Sequence, residues 1–143
     1  KLIYLQGGYE MNTTYFLNQV MGNLFKTKET PALPSEYYIG LSSTAPNISG
    51  GNVTEPLSNS GYKRVKLENL SEPADGVITN EQAISFDEST ANWGTMSHFV
   101  IYDALEAGNL LMYDTLSTPR NVEAATIVTI KANSLTLTLS NPA

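Results

Sequence analysis

The sequence predicts an all-β domain: an antiparallel, jelly-roll-like β-sandwich of about eight strands with one short N-terminal α-helix. Three observations carry this. Apolar and polar residues alternate at period two in short segments between Tyr37 and Leu139, the pattern of strands buried on one face. Turn residues punctuate those segments, as in Pro73-Ala74-Asp75-Gly76 and Glu106-Ala107-Gly108-Asn109, where Pro and Gly supply backbone angles a turn needs. Helical spacing is confined to residues 13–25, where Phe16, Leu17, Val20, Met21, Leu24 and Phe25 share one face.

The helix starts where Asn12 or Thr13 can accept a backbone N–H from its first turn. Lys26 and Lys28 suit its negative end, and Pro31 and Pro34, which lack the amide proton, stop it. Its apolar face is available to the sandwich or to another subunit, and Phe16, Leu17, Val20, Met21 and Leu24 make it the candidate docking helix. Tyr37, Ile39 and Leu41 then alternate with Tyr38, Gly40 and Ser42 as a strand. The polar stretch 44–60, with Pro46, Gly50, Gly51 and Pro56, is long for a structureless loop, and such loops are usually functional or mobile. Further strands are expected at 62–67, 77–79, 83–86, 97–104, 110–116, 126–131 and 134–140. In the strand 97–104, Phe99 and Ile101 share one face, and His98, Val100 and Tyr102 the other. Thr118-Pro119-Arg120-Asn121 reads as a turn.

Residues 1–10 precede Met11 and fit no element that follows. Gln6-Gly7-Gly8 can be encoded as CAA-GGA-GGT, which contains AAGGAGG, a ribosome-binding sequence, a few bases before the ATG of Met11. Two readings stand: a non-native leader read in frame, or an N-terminal arm. The domain itself is expected to run from residue 11 to 143.

Composition narrows the function classes. The chain is long enough to bury a core without staples, and with no cysteine it has neither disulfides nor cysteine-ligated metal. Eight Lys and Arg against fourteen Asp and Glu leave a net charge of -6, no footprint for nucleic acid and none for an anionic membrane surface. Charged residues are only 15% of the chain, against about 25% in ordinary soluble domains. Thr, Ser and Asn take their place, a surface suited to assembly or glycan contact.

Candidate catalytic chemistry is thin. The single histidine, His98, would have to serve any Ser/His/Asp triad. Asp103 lies five positions on, and odd separation in a strand puts the two on opposite faces. A strand histidine satisfied by hydrogen bonds is the expectation. Glu72 and Asp75 flank a turn and Asp87-Glu88 lies in a loop, with no sign of the opposed carboxyls a glycosidase requires. Asp87 and Glu88 offer oxygen to calcium but lack EF-hand spacing, so no metal, cofactor or catalytic residue is expected. The eight tyrosines against one tryptophan favour binding surfaces, since Tyr is apolar with a polar tip. Tyr38, Tyr62 and Trp93 are the candidate binding surface for a sugar if they stand side by side; otherwise they pack in the core or at a subunit contact.

Three segments carry a family resemblance: Tyr38-Ile39-Gly40-Leu41-Ser42-Ser43-Thr44-Ala45-Pro46, Gly61-Tyr62-Lys63-Arg64-Val65, and Trp93-Gly94-Thr95-Met96-Ser97-His98-Phe99-Val100-Ile101-Tyr102-Asp103-Ala104. With Gly108-Asn109-Leu110-Leu111 and Leu116-Ser117-Thr118-Pro119, they resemble a group of short bacteriophage virion proteins commonly labelled tail fibre proteins, some of them head or capsid accessory proteins. The resemblance spans about residues 11–140. It implies a non-enzymatic structural protein of the virion, a small fibre, tip or capsid decoration subunit. Such a protein acts by self-assembly, as a homo-oligomer such as a trimer, and by attachment to other virion proteins. The rival reading is a carbohydrate-binding module for host surface glycans. Glu123-Ala124-Ala125 departs from the Gly-Asp turn such proteins often carry before the penultimate strand.

Overall fold

A computed structural model describes residues 1–139 of the chain. Ten strands and one helix follow in chain order: β1 (Leu2–Tyr4), β2 (Gly7–Asn12), α1 (Thr14–Leu24), β3 (Tyr38–Ser42), β4 (Val65–Lys66), β5 (Val77–Thr79), β6 (Ile84–Ser85), β7 (Gly94–Tyr102), β8 (Leu110–Val122), β9 (Ile127–Ile130) and β10 (Thr136–Thr138). They form a sandwich. One layer is a five-stranded antiparallel sheet in the order β2-β8-β7-β3-β4; the three-stranded sheet β1-β9-β6 and the pair β10-β5 lie across the core from it. Each of the eight expected strands is present. Ser140, the expected end of the last one, lies outside the described residues.

The two additional strands come mostly from residues 1–10, which the sequence sets apart from the domain, with β2 running on to Asn12. β1 runs parallel to β9, with Leu2, Ile3 and Tyr4 opposite Ile127, Val128 and Thr129. β2 pairs antiparallel with β8. Ile3 and Leu5 point inward and join the main core. The sheets are therefore antiparallel except for this one pairing, which joins segments more than 120 residues apart and has no local signature.

The hairpin β7–β8 organises the large sheet. Phe99 and Ile101 face the main core, whereas Val100 and Tyr102 pack with Leu110 on the opposite face, where Val53 and Tyr113 cover them. A register shift at Ile101/Tyr102 leaves Leu111 unpaired, so Leu111 and Met112 both enter the core in succession, as an inserted residue in one strand of a pair allows. The expected turn at Thr118–Asn121 is instead part of β8. His98 pairs with Thr115 and Met96 with Arg120, so residues 116–119 form an irregular bulge. Pro119 has no N–H to give to a ladder and is tolerated in such a place.

The loop 44–60 is not loose. It lies over the outer face of the large sheet. The Thr44 hydroxyl donates to the Asn52 carbonyl at 2.7 Å and the Asn52 side chain to the Ala45 carbonyl at 2.8 Å. Ser43 N donates to the Thr54 carbonyl at 2.9 Å. At its far end Glu55 meets the buried Arg64. Arg64 Nε and one terminal nitrogen donate to Glu55 Oε1 and Oε2, both at 2.9 Å. The other nitrogen donates to the carbonyls of Ala104 and Ala107, both at 2.7 Å, in the β7–β8 turn. The guanidinium carbon sits 3.6 Å from the Tyr102 ring centroid, a cation–π contact. Burial alone would lower the Arg64 pKa, but the hydrogen bonds and charge of Glu55 outweigh it and raise it. Tyr62 donates to Glu55 Oε1 at 2.6 Å and accepts from Leu41 N at 3.0 Å. Its phenol is pushed far up, first by burial and then by the Glu55 charge.

Gly40 of β3 makes room for this cluster. A Cβ there would overlap Tyr62 Oη and lie 2.8 Å from Glu55 Oε1. Two losses of stability are expected in urea unfolding. Arg64→Ala strands the Glu55 carboxylate and two backbone carbonyls and should cost about 3 kcal/mol. Gly40→Ala crowds the same cluster and should cost about 1–3 kcal/mol.

Candidate functional site

His98 is the first residue to place. It is half-buried on β7, and its Nδ1 lies 2.7 Å from Ser97 Oγ. Among the described residues no carboxylate is hydrogen-bonded to it. Asp103 is engaged elsewhere, accepting from Asn109 N at 2.7 Å and from its side-chain amide at 2.9 Å. These bonds close the β7–β8 turn, where Ala107 and Gly108 both adopt positive φ. The described contact of the imidazole is thus a hydrogen bond with the neighbouring hydroxyl on its own strand, without the third group that orients the base of a triad among the described residues.

The carboxylates are dispersed. Asp87 pairs with Lys63 at 3.3 Å on the surface. Glu36 accepts from Tyr38 at 2.6 Å and from Lys66 at 2.9 Å, and these partners lower its pKa. Among the described residues no three His, Cys, Asp or Glu side chains converge as a metal site would require.

The three candidate aromatics do not stand side by side. Tyr62 and Trp93 are 8% and 7% exposed and meet edge to face at 5.4 Å, with Phe86 completing the cluster. Trp93 Nε1 donates to the Ser60 carbonyl at 3.0 Å, which satisfies its polar tip inside the core. Tyr38 alone is partly open, held by Glu36 at the end of β3.

The helix is the informative element. Thr13 caps it, accepting from Phe16 N at 3.2 Å and donating to the Leu110 carbonyl at 2.8 Å, so its first turn is fixed to β8. Phe16 packs on the core. Beyond Phe16 the side facing the protein is polar or small. Gln19 is buried and donates to the Ala32 carbonyl at 3.0 Å; Asn23 donates to the Pro31 carbonyl at 2.9 Å. A Cβ on Gly22 would strike Thr30. The returning segment 27–34 therefore covers that side and leaves the opposite one in solvent. Leu17, Met21, Leu24 and Phe25 stand 47%, 55%, 66% and 72% exposed, and Val20 borders them. At spacings of three and four they form one continuous stripe. Of the five candidate docking residues, Phe16 is claimed by the core and the other four lie in or beside the stripe.

Beside α1 an apolar cleft of about 360 Å³ opens between the large sheet and β5–β10, with Phe16, Tyr37, Leu67, Ile78 and Leu137 on its walls. Its described lining is apolar apart from Tyr37 and Thr138.

The family model described as podophage GP4 fiber I protein gp80 matches residues 12–138. No curated protein matches the chain.

The structural role of His98 has a pH signature. Burial lowers its pKa from the ordinary value, so the folded chain holds fewer protons than the unfolded one as pH falls below about 6.5. This contribution is complete above that pH and is lost as pH falls through the lowered value. The urea midpoint should drop between about pH 7.5 and 5.5, and His98→Gln should flatten that drop.

Proposed function

The chain belongs to the family of podophage fibre I proteins, a structural, virion-associated class, and from that premise we propose that it is a non-enzymatic fibre subunit that assembles through α1. The single observation that supports this is the outward apolar stripe Leu17-Met21-Leu24-Phe25. A helix on a monomeric domain ordinarily turns its apolar face inward. Here the inner side carries amides and a glycine, and four large apolar side chains are left to water. Clustered apolar surface of this kind marks an interface.

Copies of this chain are the natural partners. A fibre is built from repeated subunits, and a closed ring buries every stripe against a neighbour with no free end. A trimer is the simplest such ring with a fibre axis. The sandwich then serves as a rigid body, and its hydroxyl- and amide-rich exterior faces outward. Host attachment is the role of that exterior.

Solution mass tests the reading. The full chain should be a homo-oligomer at micromolar concentration. The triple variant Leu17→Gln, Met21→Gln and Leu24→Gln should be monomeric with its thermal transition still cooperative. A wild-type chain that stays monomeric, or a variant that still assembles, overturns it.

A further inference from the structure

Across the molecule from the ion pairs of the large sheet, a polar pocket of about 230 Å³ lies where the end of β1, the bulge of β8 and the β9–β10 turn converge. Its described lining includes Arg120 and Lys131, the hydroxyls of Ser117 and Thr118, the Gln6 amide and the Tyr4 ring, and no acid. This is unusual for a chain of net charge -6. Lys63, Arg64 and Lys66 are held in ion pairs, but no described carboxylate pairs with Arg120 or Lys131. Neither cation is therefore neutralised by a described acid.

The pocket is held in shape from below. Asn80, fully buried, donates to the Lys131 carbonyl at 2.9 Å and accepts from Leu135 N at 2.9 Å. Asn133 N donates to the Asn80 carbonyl at 2.7 Å, with Asn133 at φ +64. The turn carrying Lys131 is thus clamped to the core at three points. On the opposite wall Ser117 N donates to the Gln6 carbonyl at 2.9 Å and Leu5 N to the Thr129 carbonyl at 3.0 Å. Lys131 Nζ stands 4.3 Å from the Tyr4 ring centroid, and Tyr4 remains 45% exposed.

We propose that this pocket binds a carboxylate-bearing sugar unit of a surface polysaccharide. The guanidinium of Arg120 suits a carboxylate by paired hydrogen bonds, and Lys131 adds a second charge. Ser117, Thr118 and Gln6 offer the mixed donors and acceptors that ring hydroxyls need. Tyr4 supplies the partly apolar wall against which a sugar ring packs. A bare phosphate would use the cations and leave the aromatic and amide without a role. A nucleic acid needs an extended basic track, and this site is a single pocket. The site draws on the fibre reading only for its setting, a virion protein facing a cell surface, and does not depend on how subunits assemble.

The test is calorimetric titration of the full chain with three probes: an oligosaccharide containing a glucuronic acid unit, its carboxyl-reduced counterpart, and inorganic phosphate. The acidic oligosaccharide should bind with a dissociation constant of about 1 mM or tighter, and the reduced one about tenfold more weakly. Arg120→Gln with Lys131→Gln should abolish binding while solution mass and thermal unfolding stay as in the wild type; Lys63→Gln, outside the pocket, should leave it unchanged. No heat with the acidic probe, equal affinity for the reduced probe, survival in the double variant, or phosphate bound as tightly as the sugar would each overturn the proposal. Failure here with oligomerisation intact leaves the fibre reading standing; binding by a monomer sinks the assembly reading alone.

Discussion

The rest of the large sheet is arranged around a single buried guanidinium. Arg64 needs acceptors for its donors, because a charge removed from water without them is costly. It finds two carboxylate oxygens on Glu55 and two carbonyls in the β7–β8 turn. These partners lie on two pieces of chain far apart in sequence. Satisfying the arginine therefore pins the loop 44–60 to the sheet, fixes the turn after β7 and draws Tyr62 across β3. Gly40 has no side chain because this cluster occupies the space. A lysine could not replace the arginine, since a point charge cannot hold the fork to Glu55 and reach the turn together.

This has a consequence for where the molecule can act. With the loop locked over Val100 and Tyr102, that part of the outer face of the large sheet is covered, and the opposite face is the core. What stands clear of both includes the helix on its exposed side. Its polarity is the reverse of a self-sufficient helix: amides inward, leucines outward. The polar side is anchored by hydrogen bonds to the segment 27–34, and hydrogen bonds of that kind set orientation more than they add stability. They therefore present the apolar stripe in one direction, which a symmetric assembly requires.

Features resting on local pattern were legible in the sequence. The β7–β8 hairpin, the helix and its Thr cap, and the inward set Phe99, Ile101 and Leu135 all follow from spacing within a few residues. What was hidden depends on distant chain. β1 is a strand because β9 lies beside it, more than 120 residues away. Pro119 signals a turn in isolation, yet the bulge in β8 absorbs it. Tyr62 and Trp93 could be read as a sugar platform or as core, and it is their contact with each other and with Phe86, distant in sequence from Tyr62, that places them in the core. The Glu55–Arg64 contact had one local trace, the glycine in the middle of β3, since a strand glycine marks close approach by another group. The outward turn of the helix had none, because sequence spacing defines an apolar face without saying what lies against it.

The charge distribution separates assembly from recognition. A net charge of -6 repels acidic polymers at a distance, and salt weakens that repulsion over about 8 Å at physiological strength. Attraction to an acidic sugar must therefore be local. Three of the eight cationic residues are tied up in ion pairs near the large sheet. Arg120 and Lys131 instead share one rigid pocket. Close contact there gains from two charges at short range, where screening is least, while the surrounding field disfavours anions that do not fit. Such a site gives up long-range capture for selectivity at contact. In the proposed assembly an oligomer would compensate for that loss, because several weak pockets on one fibre would raise the effective affinity for a repeating polymer. The apolar helix and the cationic pocket are lined by different residues, so the proposed joining of subunits need not cover the proposed ligand site.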